Sequence, residues 1–172
     1  MNMPKRHLPP IEDEWIILRL LEKTDLPLTL FWRNQDQIRK WFINTDVITE
    51  EKHSAWFERY NVSDNDFVFV ILAKELGNLP VGQISLYGID WQGMSAEYGR
   101  LMIGYQAAQG KGYAKQATRL LVGFGFGQMG LKEIHLEVKE DNAPAIAIYH
   151  ATGFTEQLRK DGLITMRISK MV

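Results

Sequence analysis

The stretch Glu97–Tyr149 places the tightest limits on how this chain can fold. It begins with a predicted strand, Glu97–Tyr105, and continues through a turn that carries Gly110 and Gly112. The turn leads into a run whose apolar residues repeat at helical spacing, and a second predicted strand, Glu133–Lys139, follows. A strand, a helix and a strand in this order indicate a parallel crossover within one sheet.

The two glycines of this turn suit it to binding an anion. A glycine lets the backbone approach a bulky group closely, and the first N–H groups of a helix have no partner within the helix. These groups favour negative charge in front of the helix. The sequence therefore predicts a phosphate site at Gln109–Ala114. Lys111 and Lys115 are candidates for further phosphate contacts, with plain solvation as the alternative.

The rest of the chain predicts further strands and helices around this unit. The other predicted strands are apolar runs bounded by turn residues, at Trp15–Leu21, Asp66–Lys74, Val81–Ile89, Phe154–Arg159 and Leu163–Lys170. Two short helices are predicted within Leu28–Phe42, divided near Asn34-Gln35-Asp36. A third is predicted from a Thr49 cap through Tyr60, with Ala55, Trp56 and Phe57 facing inward. A fourth is predicted at Asn142–Thr152, ended by Gly153. We expect Met1–Pro10 to be a flexible lead-in, because it contains several prolines.

Together these elements predict a mixed α/β (α+β) fold in a single domain of 172 residues. Three sequential strands joined by tight turns form an antiparallel meander, and the crossover adds a parallel pair. We expect a mixed, mainly antiparallel central sheet of six to seven strands, flanked by helices. The aromatic residues of Phe31–Phe57 are expected mainly in the core, and the alternative is that they form one wall of a pocket.

Composition argues against several classes of function. A formal net charge of -1 gives no basic field for nucleic acid or an anionic membrane. The absence of cysteine excludes disulfides, a thiolate nucleophile and a cysteine-built zinc site. The four histidines form no closely spaced pair, so we expect no metal. No apolar run approaches the about 20 residues of a membrane helix, and we see no signal peptide, so a cytoplasmic protein is expected.

Two motifs in this order resemble those of the GCN5-related N-acetyltransferase (GNAT) superfamily. The first is a Gln/Arg-x-x-Gly-x-Gly/Ala signature, met at Gln109, Gly112 and Ala114. The second is Asn-x-x-Ala-Ile-x-x-Tyr-x-x-x-Gly-Phe after a strand, met from Asn142 to Phe154. The resemblance is close over residues 66–160. The N-terminal part more loosely resembles the branch that acetylates nucleotide-linked amino sugars, protein N-termini or polyamines.

The resemblance implies acetyl-CoA as the co-substrate, no metal, and a sheet splayed at the strand that binds the cofactor. It implies a direct attack of the amine on the thioester, without an acyl-enzyme. The residues it assigns to cofactor binding are Leu101, Met102, Ile103, Gln109, Gly110, Lys111, Gly112, Tyr113, Ala114, Lys115, Asn142 and Tyr149. Gln109 stands where arginine is common in the family, which removes one charged contact. For Asn142, the alternative is to cap its own helix.

Acetyl transfer to an amine needs a base and an acid. An alkylamine with a pKa of about 10 is protonated at neutral pH, so a group must remove a proton before the nitrogen can attack. Glu137 is the first candidate base and Glu97 the second, with a water between them as a further option. The alternative for Glu137 is a surface ion pair with Lys139 or Arg100. Tyr149 is the candidate acid for the leaving thiolate, and core packing is its alternative role.

The leading hypothesis is an acetyl-CoA-dependent N-acetyltransferase that acts on a primary amine of a small molecule or of a nucleotide-linked amino sugar. One alternative is acetylation of a protein N-terminus, which requires an open, acidic groove for a peptide. Another is a non-catalytic acyl-CoA-binding sensor, which would not need both Glu137 and Tyr149. Neither nucleic acid nor a membrane is an expected partner, and a homodimer is possible.

Overall fold

The computed structural model describes residues 4–172, which form one open sheet of eight strands flanked by five α-helices. The strands are β1 (Ile11–Glu12), β2 (Ile16–Leu20), β3 (Asp66–Ala73), β4 (Leu79–Asp90), β5 (Ser95–Ile103), β6 (Glu133–Lys139), β7 (Thr155–Lys160) and β8 (Leu163–Ser169). Their order in the sheet is β1-β2-β3-β4-β5-β6-β8-β7. The helices are α1 (Leu26–Asn34), α2 (Asp36–Arg39), α3 (Glu50–Asn61), α4 (Tyr113–Gly127) and α5 (Ala143–Thr152).

The predicted mixed, mainly antiparallel sheet is confirmed. Only β5 and β6 pair in parallel, across the crossover through α4, and the other neighbours in the sheet are antiparallel. All seven predicted strands are present, with ends shifted by at most two residues. The eighth strand, β1, is two residues long and carries no apolar pattern that would have revealed it. β5 ends at Ile103 rather than Tyr105, because the chain leaves the strand at Gly104.

The core lies on both faces of the sheet, as the continuous apolar run of β3 predicts. Phe67 and Phe69 belong to the main cluster, which α4 and α5 cover on one face. Val68 and Val70 belong to a second cluster on the other face, packed with residues of α1 and α3. The helices are thus divided between the two faces of the sheet.

The third predicted helix is confirmed as α3, but the prediction that Ala55 faces inward is wrong. Thr49 caps the helix, and its hydroxyl accepts a hydrogen bond from the Lys52 N–H at 3.2 Å. Phe57 and Tyr60 are buried, three residues apart on one side of the helix. Ala55 is exposed, because a position two residues before Phe57 falls on the opposite side of a helix with 3.6 residues per turn.

Part of the expected flexible lead-in is anchored to the domain. The Lys5 ammonium donates to the Tyr60 carbonyl at 3.0 Å and lies 3.4 Å from the centre of the Tyr60 ring. Arg6 forms an ion pair with Asp64 at 2.8 Å. Residues 5 and 6 are therefore held against the end of α3 and the turn that follows it. Met1–Met3 lie outside the described residues.

The sheet splays between β5 and β6. Their parallel pairing runs from Ser95 opposite Glu133 to Glu97 opposite His135 and then stops. The register of β4 and β5 shifts between Gln83 and Ser85. Arg100, at the shift, has a left-handed φ of 54°, which is the geometry of a β-bulge. Beyond Glu97, one edge of β5 has no strand beside it, so its backbone groups are available to a ligand.

Within residues 4–172 no helix combines the length and the apolar character needed to cross a membrane. The same part of the chain contains no group of three histidine, aspartate or glutamate side chains placed to hold a metal ion.

Candidate active site

The predicted anion site lies at the start of α4. Gly110 and Gly112 have left-handed φ angles of 73° and 90°, which glycine adopts without strain. A Cβ at either position would meet no protein atom within 4 Å, so the space above the turn is open to a ligand. Gly112 is the N-cap and provides no capping side chain, and the first turn of α4 contains no acidic residue. The first N–H groups of α4 therefore face open space without an internal partner.

The side chains around this turn differ in their partners: two lysines form no ion pair within residues 4–172, and two other residues hydrogen-bond to neighbouring segments. Lys111 and Lys115 form no ion pair with any carboxylate in residues 4–172. Gln109 instead donates its side-chain N–H to the Ile103 carbonyl at 2.9 Å, which ties the turn to the end of β5. The Tyr113 hydroxyl donates to Glu75, and burial together with this hydrogen bond raises the pKa of Tyr113 to about 12. Only the backbone of Tyr113 faces the turn.

A groove of about 330 Å³ leads from the glycine turn along the free edge of β5. Seven of the predicted cofactor residues line it: Leu101, Met102, Ile103, Gln109, Gly110, Ala114 and Asn142. Four other predicted residues do not line the groove. They lie beside it, on the glycine turn and in the first turn of α4: Lys111, Gly112, Tyr113 and Lys115. The groove runs beside an open backbone edge, which an extended pantetheine arm could pair with, and it begins at the glycine turn, where a diphosphate could bind.

Asn142 caps α5, as the alternative interpretation expected. Its side-chain oxygen accepts a hydrogen bond from the Ala145 N–H at 3.3 Å. The same side chain also lines the groove and the cavity beyond it. The capping bond uses only the oxygen, so the amide N–H₂ group is free to donate to a ligand.

A second cavity, of about 250 Å³, adjoins the groove and is lined by the predicted catalytic residues. The two spaces share Trp41, Leu101, Asn142 and Ala145 as walls. Glu97, Glu137 and Tyr149 all line the second cavity, which is called the catalytic cavity below. The fold therefore brings residues of β5, β6 and α5 together at the inner end of the groove.

Tyr149 is buried, with 7% of its surface exposed, and packs edge-on against Tyr98 and Phe154. Its hydroxyl donates to no protein group among residues 4–172. Burial, followed by the nearby Tyr87 hydroxyl, raises the pKa of Tyr149 well above its ordinary value of about 10. The side chain is therefore protonated at neutral pH, which is the state that a proton donor requires.

The ion pairs proposed as an alternative role for Glu137 are absent among the described residues. The Lys139 ammonium donates to the Lys40 carbonyl at 2.7 Å, and Arg100 pairs with Asp66 at 2.7 Å. Glu97 is half-buried and Glu137 is exposed. Both carboxylates are thus free of cationic partners within residues 4–172 and face the same cavity.

Tyr87 is a residue of this cavity that the sequence analysis missed. It lies on β4 opposite Glu97. Its hydroxyl would be 2.9 Å from a Cβ at Gly99, and the Arg100 guanidinium lies 4.3 Å from the centre of its ring. Burial and then the charge of Glu97 raise the pKa of Tyr87 far above its usual range. Only the strand register places this phenol beside the carboxylates, so no local sequence signal indicates its role.

Comparison with known proteins agrees with this geometry. A family model described as an acetyltransferase (GNAT) domain matches residues 16–155. An uncharacterized N-acetyltransferase of Bacillus licheniformis is 31% identical over 157 residues, covering 88% of this chain and 83% of the relative. A spermidine N(1)-acetyltransferase of Escherichia coli is 30% identical over 145 residues, covering 80% of this chain and 72% of the relative.

Other relatives are matched only in part. The chain spans 28% of the length of an uncharacterized protein of Methanocaldococcus jannaschii and 63% of an N-acetyltransferase 9-like protein of Caenorhabditis briggsae.

A solved structure shares the fold. The spermidine N-acetyltransferase of Vibrio cholerae, in complex with CoA and spermine, superimposes with a TM-score of 0.81 at 22% identity. The match covers 91% of this chain and 96% of that one. The family model, the relatives that are at least 30% identical and the splayed sheet with its glycine turn agree on one assignment. The chain belongs to the GNAT family of acetyltransferases.

Proposed function

We propose that this chain is an N-acetyltransferase that moves the acetyl group of acetyl-CoA directly to a primary amine of a small molecule or a nucleotide-linked amino sugar. The observation that carries the proposal is that two spaces lie next to each other. The groove that starts at the glycine turn shares four wall residues with the cavity lined by Glu97, Glu137 and Tyr149. The spermidine N(1)-acetyltransferases among the relatives support an amine as the acceptor.

The co-substrate fits the groove through backbone groups of this chain. The unpaired N–H groups at the start of α4 would bind the diphosphate, and the free edge of β5 would bind the pantetheine arm. The Asn142 amide is placed to donate to the same arm. Acetyl-CoA supplies the acetyl group as a thioester. The bound arm would bring that thioester to the inner end of the groove, next to Tyr149.

The acceptor amine must lose protons as it reacts. Glu97 and Glu137 would hold a water between them, which accepts a proton from the ammonium and frees the nitrogen lone pair. The nitrogen then forms the new bond to the acetyl carbon, and the carbon–sulfur bond breaks. The backbone N–H groups of β5 near Met102 and Ile103 would stabilise the negative oxygen that develops on the way.

Tyr149 would supply the proton that the sulfur needs. A free thiol has a pKa of about 8.5, so a thiolate leaves more readily when a nearby acid protonates it. The Tyr149 hydroxyl carries its proton at neutral pH, so it can donate to the sulfur as the carbon–sulfur bond breaks. The ammonium loses two protons in all: one passes through the bound water to solvent before the attack, and the second leaves the nitrogen after the new bond has formed. The second proton would replace the one that Tyr149 gives to sulfur, so the products are the amide, the free thiol and one proton in solvent.

Two alternatives remain as hypotheses with separate outcomes. Acetylation of a protein N-terminus needs an open acidic groove, whereas the catalytic cavity is small, at about 250 Å³, and Trp41 and Phe42 form part of its wall. A non-catalytic acyl-CoA sensor would not need two unpaired carboxylates and a protonated tyrosine in one cavity. Both observations favour catalysis on a small acceptor.

A thiol-release assay tests the proposed function. Purified protein is incubated with acetyl-CoA and a panel of amines, amino sugars and N-terminal peptides, and free CoA thiol is measured. We expect release that depends on a small amine. Release only with peptides would support the N-terminal alternative. CoA binding without any amine-dependent release would support the sensor and contradict the proposal.

The carboxylates give a sharper prediction. We expect Glu97→Gln and Glu137→Gln each to lower kcat/KM by about 100-fold, because general-base catalysis contributes about 100- to 10,000-fold. The double variant should lose little more than either single one, since the two groups hold one water. Glu58→Gln, an exposed change on α3, serves as the control. Steady-state kinetics check this, and normal turnover in both single variants would remove the carboxylates from the mechanism.

A further inference from the structure

Arg33, at the end of α1, is a buried cation without a carboxylate partner. It is 7% exposed, and its guanidinium lies 4.1 Å from the centre of the Phe42 ring. One terminal nitrogen donates to the Asn44 carbonyl, whereas the other, Nη1, has no hydrogen-bond partner within residues 4–172. No carboxylate of that range forms an ion pair with it. A buried charge left unpaired is destabilising, so a partner from outside the chain would stabilise it.

The guanidinium lies at the junction of two spaces. Arg33 lines the catalytic cavity and also a third cavity of about 330 Å³, here called the basic cavity. The two also share Phe42 and Arg100, so they lie side by side. A molecule in the basic cavity could therefore extend toward Glu97 and Tyr149.

The walls of the basic cavity carry positive charge and no negative charge. Lys52, His53 and Arg100 line it together with Arg33, and no aspartate or glutamate does. Asp66 already neutralises Arg100, through two hydrogen bonds of 2.7 and 3.2 Å. Burial lowers the pKa of His53, so this ring is neutral at neutral pH. Arg33 and Lys52 are left as the cations without a carboxylate partner in the described chain.

The charges that face Arg33 from neighbouring segments do not compensate it. Arg39 lowers its pKa after the larger effect of burial, and Asp46 raises it. Arg39 is itself paired with Asp36, and Asp46 is exposed and makes no ion pair with Arg33. A guanidinium keeps its proton under any ordinary condition. Arg33 is therefore charged, desolvated and short of an acceptor.

We infer that the basic cavity binds an anionic group of the acceptor, a phosphate or a carboxylate, through Arg33 and Lys52, while the acceptor's amine reaches Glu97 in the catalytic cavity. This rests on the proposed acetyl transfer. Planar guanidinium groups bind phosphate and carboxylate through paired hydrogen bonds. Trp56 and Phe42 add apolar walls for the body of the acceptor. The acceptor class is an amine that carries its own anion, and a polyamine is repelled.

Matched acceptors test this class. Glucosamine 1-phosphate is compared with glucosamine, L-phenylalanine with phenethylamine, and spermidine is included as a polycation. We expect an anionic member to exceed its neutral partner in kcat/KM by about tenfold or more, and spermidine to be poorest. The pair that shows the larger ratio identifies phosphate or carboxylate. A preference for neutral amines or spermidine would overturn the inference and leave acetyl transfer standing, whereas no release with any amine would overturn both.

Variants then assign the preference to Arg33. Arg33→Gln should raise KM for the anionic acceptor by about 10- to 100-fold, the range for a lost charged hydrogen bond, and raise KM for the neutral acceptor by a smaller factor. Arg33→Lys should recover part of the loss. Lys52→Gln should reduce the preference by a few fold without affecting folding, since Lys52 is exposed. Arg119→Gln, an exposed charge outside these cavities, is the matched control. Equal losses for charged and neutral acceptors in Arg33→Gln would show a structural role and overturn the assignment.

Discussion

Replacing Tyr149 with phenylalanine should lower kcat by about 100-fold or more and leave the affinity for acetyl-CoA nearly unchanged. The substitution removes only the hydroxyl. The ring can keep its edge-on packing against Tyr98 and Phe154, so the fold and the cavity walls persist. The variant has no proton to give to the departing thiolate. The carbon–sulfur bond must then break with the sulfur unprotonated, which raises the energy barrier for its cleavage.

The pH dependence follows from the raised pKa of Tyr149. An ordinary tyrosine loses its proton near pH 10 and would stop acting as an acid there. Burial moves this loss to higher pH, so kcat of the wild-type protein should not fall as the pH rises from neutral toward 10. Tyr105→Phe, at an exposed position, is the control. Steady-state rates and calorimetric CoA affinities measure both effects, and unchanged turnover in Tyr149→Phe would contradict the role of the hydroxyl.

Gly104→Ala should destabilise the fold by about 3 kcal/mol or more, beyond the usual range for overpacking. A Cβ at Gly104 would lie 1.9 Å from Cγ and 2.1 Å from Cδ2 of Trp32. Trp32 is 3% exposed and packs with Ile38 and Met102, so its ring has no free space to move into. The close contact fixes α1 against the end of β5, which is the strand that lines the groove.

Thermal unfolding measures this effect, with a fall in Tm of about 10 °C expected for a chain of this size. Gly123→Ala is the matched control, because its Cβ would meet no atom within 4 Å, and alanine should stabilise α4 by up to about 1 kcal/mol. In a Trp32→Ala background the Gly104→Ala change should cost little, since the clashing ring is gone. Equal Tm values for Gly104→Ala and the wild type would refute the contact.

Local signals account for what the sequence predicted well. The crossover through α4, the caps at Thr49 and Asn142 and the left-handed Gly112 each depend on residues close together in the chain. The predicted Glu97, Glu137 and Tyr149 come together because the two strands of the crossover and the helix directly after it carry them. Their chemical roles stay predictions, which the kinetic variants address.

Contacts between distant segments account for what the sequence missed. Tyr87 faces Glu97 only through the register of β4 and β5, and that register depends on an irregular bulge at Arg100. Arg33 looks like an ordinary helical arginine in the sequence. Its missing carboxylate partner becomes visible only when the segment at Asn44 folds over it. Neither residue belongs to a sequence motif, because its environment is set by residues that are near it in space and distant in the chain.

The central claim is that backbone donors at the glycine turn bind the diphosphate of coenzyme A. Calorimetric titration of the purified chain with CoA tests it most directly, with Gly112→Val beside the wild type and Gly123→Ala as the control. A side chain at the φ of 90° is strained and would fill the space in front of α4. We expect one CoA bound per wild-type chain, the same for Gly123→Ala, and affinity at least about tenfold weaker for Gly112→Val. A wild-type chain that shows no CoA binding in titrations at two temperatures, or a Gly112→Val chain that binds CoA equally well, would contradict a diphosphate site at this turn.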